Sequence, residues 1–101
     1  MITKPADISK YNFFSRLSKI PSVEAIYLYG SRARGTEDDR ADVDLAIQCP
    51  NASDDEWMQI EGIIENSDML LKIDFVRLDK LKDTLLIKEI ERDKVKLYER
   101  S

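Results

Sequence analysis

Apolar positions in the first part of the chain wind along one side of a helix. From about Asp7 to Ile20, the residues Ile8, Tyr11, Phe14 and Leu17 recur at helical spacing, flanked by Phe13 and Ile20, and this predicts an amphipathic helix that Pro21 ends. The period then changes. Ala25-Ile26-Tyr27-Leu28-Tyr29 is short, apolar and aromatic and stops at Gly30, as a buried strand running into a turn would. The polar segment from Arg32 to Ala41 carries Gly35 and reads as a loop, or as a short helix followed by a loop.

From Asp42 to Cys49 the pattern alternates, with Val43, Leu45 and Ile47 on one face and Asp42, Asp44 and Ala46 on the other, which predicts a second strand. Pro50-Asn51 breaks it, and Ser53-Asp54-Asp55-Glu56 is a capping box with extra negative charge where the first backbone N–H groups of a helix lack partners. That helix is predicted to run to about Asn66 and to bury Trp57, Ile60 and Ile64. A third strand is predicted over Leu71 to Leu78, with Lys72, Asp74 and Val76 on one side. Asp79 is then expected to cap a last helix through Leu85, Leu86 and Ile90, and Val95 to Tyr98 suits an edge strand. This order predicts an α+β fold, a small mixed β-sheet with helices mainly on one face.

With 101 residues, 43% of them hydrophobic, the whole chain from 1 to 101 is expected to form a single domain without repeats or low-complexity tracts. No apolar run is long enough to span a bilayer, and Met1-Ile2-Thr3-Lys4-Pro5 does not resemble a signal peptide, so a cytoplasmic location is the expectation. The single cysteine, Cys49, sits in an apolar run and reads as a small core residue. A net charge of −4 argues against broad nucleic-acid binding through a basic surface. The absence of histidine removes the commonest general base and transition-metal ligand, which leaves carboxylates, hydroxyls, lysines or a hard cation such as magnesium.

Three elements carry candidate chemistry. Asp42 and Asp44, two residues apart on a strand, point to the same side and are able to share one or two divalent cations, although an Asp-x-Asp pair among 20 acidic residues is commonly only solvated. Gly30-Ser31 follows a strand directly, where the backbone and a hydroxyl suit phosphate oxygens, and such a pair is equally an ordinary turn. Asp74 interrupts an apolar strand and is either paired with a neighbour such as Lys72 or functional.

Together these elements resemble the polymerase-β-like nucleotidyltransferase superfamily, and Tyr29-Gly30-Ser31-Arg32-Ala33-Arg34-Gly35 followed by Asp42-Val43-Asp44-Leu45-Ala46-Ile47 is similar to its minimal nucleotidyltransferase branch. The resemblance covers about Ala25 to Leu78, and more loosely Val95 to Glu99. Ala41 departs from it, standing where a serine commonly precedes the first aspartate. The resemblance implies attack of an acceptor hydroxyl on the α-phosphorus of a nucleoside triphosphate, ATP as the first expectation, with release of pyrophosphate. Two Mg2+ ions are implied, with Asp42, Asp44 and Asp74 as metal ligands and catalytic acids, Asp74 also taking the acceptor's proton. Gly30 and Ser31 are implied to hold the β- and γ-phosphates, with Arg32 and Arg34 near the triphosphate.

The acceptor is expected to lie outside the chain. The resemblance implies a helical HEPN-type partner in a toxin–antitoxin pair, this chain being an MntA-type antitoxin that adenylylates the toxin. A small-molecule acceptor such as an antibiotic hydroxyl, and a catalytically inactive partner-binding module of the same fold, are the alternatives. Base preference and oligomeric state have no short signature in the chain.

Overall fold

The computed structural model describes residues 8–36 and 42–101. The helix start expected at Asp7 and the departure at Ala41 lie outside the described residues. Helix α1 spans Asn12–Ser18, strand β1 Ala25–Tyr29, the short helix α2 Ser31–Arg34 and strand β2 Val43–Gln48. Helix α3 spans Asp54–Glu65, strand β3 Ile73–Arg77, helix α4 Thr84–Asp93 and strand β4 Val95–Glu99, with a 3₁₀ turn at Leu78–Lys80. The sheet order is β3-β2-β1-β4; β1 runs antiparallel to both neighbours, and β2 and β3 are parallel. The small mixed α+β sheet read from the sequence is thus the fold, and the terminal segment is an edge strand.

Alternation along β1 and β2 decides which side of the sheet is which. Ile26, Leu28, Val43, Leu45 and Ile47 are buried against Phe13, Phe14 and Leu17 of α1 and Ile60, Ile63 and Ile64 of α3, forming the main core. Cys49 is buried in that core as expected. Helix α4 lies on the opposite side, where Ile90 and Leu86 pack with Tyr27, Tyr29, Ala46 and Val76. The Ser53–Glu56 capping box forms in both directions: the Glu56 N–H donates to Ser53 Oγ at 3.1 Å and the Ser53 N–H to Glu56 Oε1 at 3.1 Å.

Four expectations change. The first helix is not continuous from Ile8, because the chain turns over Ser9–Tyr11 and α1 starts at Asn12 after an extended Tyr11. Its apolar spacing serves a turn and a short helix that pack on the same core. Trp57 is half-buried, since it lies over the edge strand, 6.0 Å from the Phe75 ring with the Arg77 guanidinium 5.7 Å above it. The third strand is shorter than Leu71 to Leu78. Asp79 does not cap the last helix; Asp83 does, accepting from the Leu85 and Leu86 N–H groups at 3.1 Å each. Asp79 turns back instead to accept from the Cys49 N–H at 2.8 Å and Arg77 Nε at 3.0 Å. Arg77 in turn donates to the Cys49 and Ala52 carbonyls, so the pair closes the exit from β2.

Candidate active site

The register of three strands builds the site. Tyr29 is the direct partner of Asp44 across β1 and β2, and Asp44 is the direct partner of Asp74 across β2 and β3. The three side chains form a row across the sheet on the side opposite the main core. Buried Val43 and Leu45 hold this register, because a slip of one residue would carry Asp44 into the core. Asp42 lies just before β2 and is exposed, two residues from Asp44.

Gly30 stands at the end of the row with φ 77° and ψ −158°, a conformation essentially confined to glycine. A Cβ there would overlap the Asp44 carboxylate and come within 3.2 Å of its Cγ. The Gly30 carbonyl accepts from the Ala33 and Arg34 N–H groups at 3.1 Å each and so starts α2, while Gly35, in the left-handed region, ends it. The Gly30–Ser31 turn therefore rests directly on the acid row.

Charge in the row is poorly compensated. Burial, then Asp74, Asp42 and Glu89, push the Asp44 carboxyl up to about 6, with Arg34 pulling the other way. Burial also raises the Tyr29 phenol to about 12, assisted by Asp44, Glu89 and Asp74, so Tyr29 stays protonated and neutral beside the acids. Lys72 reaches Asp74 at 3.5 Å, but its side chain is 72% exposed and a strongly hydrated partner. Among the described residues no three His, Cys, Asp or Glu side chains converge closely enough to enclose a metal ion.

Of the residues expected at the site, Asp42, Asp44, Asp74, Gly30 and Ser31 share this region of the sheet. Arg34 also acts on this region, since it is one of the charges felt by Asp44. Arg34 donates to Asp93 of α4 at 2.6 Å and stands 3.9 Å from Glu89, while the Arg32 side chain is turned inward, with the residue 6% exposed. Sequence reasoning missed Glu89 and Asp93. Their signal was present on α4: Ile90 fixes the buried face of that helix, and Glu89 and Asp93 follow one another at a spacing of four residues beside it.

The family model for polymerase β nucleotidyltransferases matches residues 13–101, which include the glycine turn and all three aspartates. The chain belongs to the polymerase β nucleotidyltransferase family. Solved structures with the same fold include a toxin–antitoxin with AMP-PNP, at 23% identity and a TM-score of 0.66 over 89% of this chain and 73% of that one. A mutant of the toxin–antitoxin MntA-HpeT matches at 19% identity and a TM-score of 0.64, with the same coverage of 89% and 73%. A Sulfolobus solfataricus protein solved as a candidate nucleotidyltransferase matches at 22% identity and 0.59 over 87% and 75%. No curated protein sequence matches the chain. No described helix of this nucleotidyltransferase is long and apolar enough to cross a membrane.

Proposed function

We propose that residues 1–101 act as one nucleotidyltransferase domain that moves AMP from ATP to a hydroxyl of a helical HEPN-type toxin, and so serve as the antitoxin of a pair. The observation that carries the chemical half is the register pairing of Asp44 with Asp74 beneath the Gly30 turn. Likeness in fold to toxin–antitoxin structures, one of them with AMP-PNP, supports the partner and the nucleotide. A cytoplasmic location goes with this reading, since nucleoside triphosphates are cytoplasmic substrates.

The donor set suits magnesium. It is all carboxylate oxygen, and the raised Asp44 pKa marks negative charge that a divalent cation would neutralise. Asp42, Asp44 and Asp74 would hold two Mg2+ ions, which supply charge stabilisation for the entering and leaving oxygens. Gly30 and Ser31 hold the β- and γ-phosphates, the missing Cβ of Gly30 letting the turn lie close to the acids. The acceptor oxygen bonds to the α-phosphorus, the bond from that phosphorus to the β-phosphate's bridging oxygen breaks, and pyrophosphate leaves with the electron pair. The acceptor's proton passes to the Asp74 carboxylate.

The test mixes the purified chain, Mg2+, each nucleoside triphosphate in turn and the protein encoded beside it, with intact-mass spectrometry as the readout. A gain of one AMP on the neighbour, lost in Asp42→Asn and Asp44→Asn, is the expected result. Full transfer by both variants would overturn the assignment of the acids.

A further inference from the structure

Helix α2 is only four residues long, so it has no stability of its own and holds its shape through what anchors its two ends. Its first end is anchored at Gly30 against Asp44. Its last residue, Arg34, reaches 59 positions along the chain to Asp93, the last residue of α4, at 2.6 Å. The placement of Asp93 is otherwise unfavourable, because an acid at a helix C-terminus meets the negative end of the backbone dipole. Arg92 offsets this from beside it, with Nε on Oδ1 at 2.8 Å and Nη2 on Oδ2 at 2.9 Å. The Asp93 side chain is 4% exposed, and these two guanidinium groups hold its carboxyl down at about 2.

We propose that Asp93 is a positioning residue whose ion pair with Arg34 anchors α2, and with it the Gly30–Ser31 turn, to α4. Glu89, 3.9 Å from Arg34, lies on the same side and confines the guanidinium further. A carboxylate that accepts from two arginines through both of its oxygens fixes direction as well as charge, which a single-contact surface pair does not. Arg34 therefore acts on the triphosphate through the backbone of the turn rather than by touching phosphate. That consequence rests on the nucleotidyltransferase reading; the anchoring does not.

Two measurements on Asp93→Asn, Arg34→Met and the double variant separate these. The first is amide hydrogen exchange at Ala33, Arg34 and Thr36, whose N–H groups donate to the Gly30 and Ser31 carbonyls. Both single variants and the double should exchange there about tenfold faster or more, with β1 and β2 amides unchanged. Unchanged exchange in α2 overturns the proposal, whether or not the protein binds nucleotide. The second is KM and kcat with Mg-ATP. An anchor raises KM about 5- to 10-fold in each single variant, with no further rise in the double and kcat held, because all three lose one and the same interaction. A phosphate-binding Arg34 gives a different result: Arg34→Met raises KM, while Asp93→Asn frees the arginine and leaves KM equal or lower. That result too overturns the proposal. If the wild-type chain binds no nucleoside triphosphate, the function proposed above fails and the exchange data still decide the anchor.

Discussion

Gly30 and Asp44 occupy each other's space: the carboxylate of Asp44 fills the position where any other residue at 30 would place its Cβ. Gly30→Ala therefore meets two obstacles, the overlap and a positive φ of 77°. We expect a stability loss of about 1–3 kcal/mol from the backbone conformation, with the overlap adding to it. Nucleotidyl transfer should fall by about 100-fold or more, because a shift of roughly 1 Å in positioned groups is sufficient for that. Urea unfolding and a transfer assay with α-labelled ATP read the two effects separately, and a wild-type value in both would show that the close approach is not needed.

Asp44 is stabilising when protonated and costly when ionised. Its folded pKa of about 6 stands above its ordinary 3.8, so folding favours the protonated form. The contribution is fully present below pH 3.8 and is lost as pH rises to about 6, so metal-free protein should become less stable across that window. After allowance for solvent screening the loss is on the order of 1 kcal/mol. Asp44→Asn should flatten the profile and raise the melting temperature of the metal-free protein at pH 7.5. Added Mg2+ should stabilise the wild type more at pH 7.5 than at pH 5, and Asp44→Asn much less at either. Thermal melts in EDTA and in Mg2+ decide this without any activity measurement.

The strands were readable because period-two alternation and the punctuation by Gly30 and Pro50 are local signals, and the shared face of Asp42 and Asp44 follows from two-residue spacing alone. What brings Asp74 level with Asp44 is not local. It depends on β3 pairing in parallel with β2, which α3 makes possible across the whole β2–β3 connection. The ion pair of Arg34 was not legible for the same reason: its partner Asp93 is 59 residues away, and a loop arginine beside Gly-Ser gives no hint that α4 returns over it. Asp79 and Asp83 both stand before the last helix as plausible caps. Only the 3₁₀ turn at Leu78–Lys80, which directs Asp79 back to Cys49, separates them.

That turn makes a stability prediction. Arg77 and Asp79 have side chains each 11% exposed, and together they satisfy the Cys49 N–H and the Cys49 and Ala52 carbonyls. Asp79→Ala leaves a nearly buried guanidinium and an N–H without their acceptor, and should cost about 3–5 kcal/mol. Arg77→Met/Asp79→Leu removes both charges and should lose less than Asp79→Ala alone. Burial and then Asp79 push the Cys49 thiol up to about 11, so native protein should resist alkylation at neutral pH and Asp79→Ala should react faster through local opening. Urea midpoints and the rate of iodoacetamide labelling measure the two.

Asp74 reads from the chain either as the partner of Lys72 or as a working acid, and a comparison of two variants separates these roles. Lys72 meets Asp74 at 3.5 Å with its side chain 72% exposed, an arrangement worth about 0–1 kcal/mol. If pairing were the purpose, Lys72→Met and Asp74→Asn would have equal and small effects. As the group that takes the acceptor's proton, Asp74 is expected to behave otherwise. Asp74→Asn should lower kcat by about 100- to 10,000-fold while the unfolding midpoint stays near that of the wild type. Lys72→Met should leave kcat within about twofold, since it alters only a screened surface charge. A loss of transfer as deep in Lys72→Met as in Asp74→Asn would return Asp74 to the role of a paired surface acid, and the catalytic row would then end at Asp44.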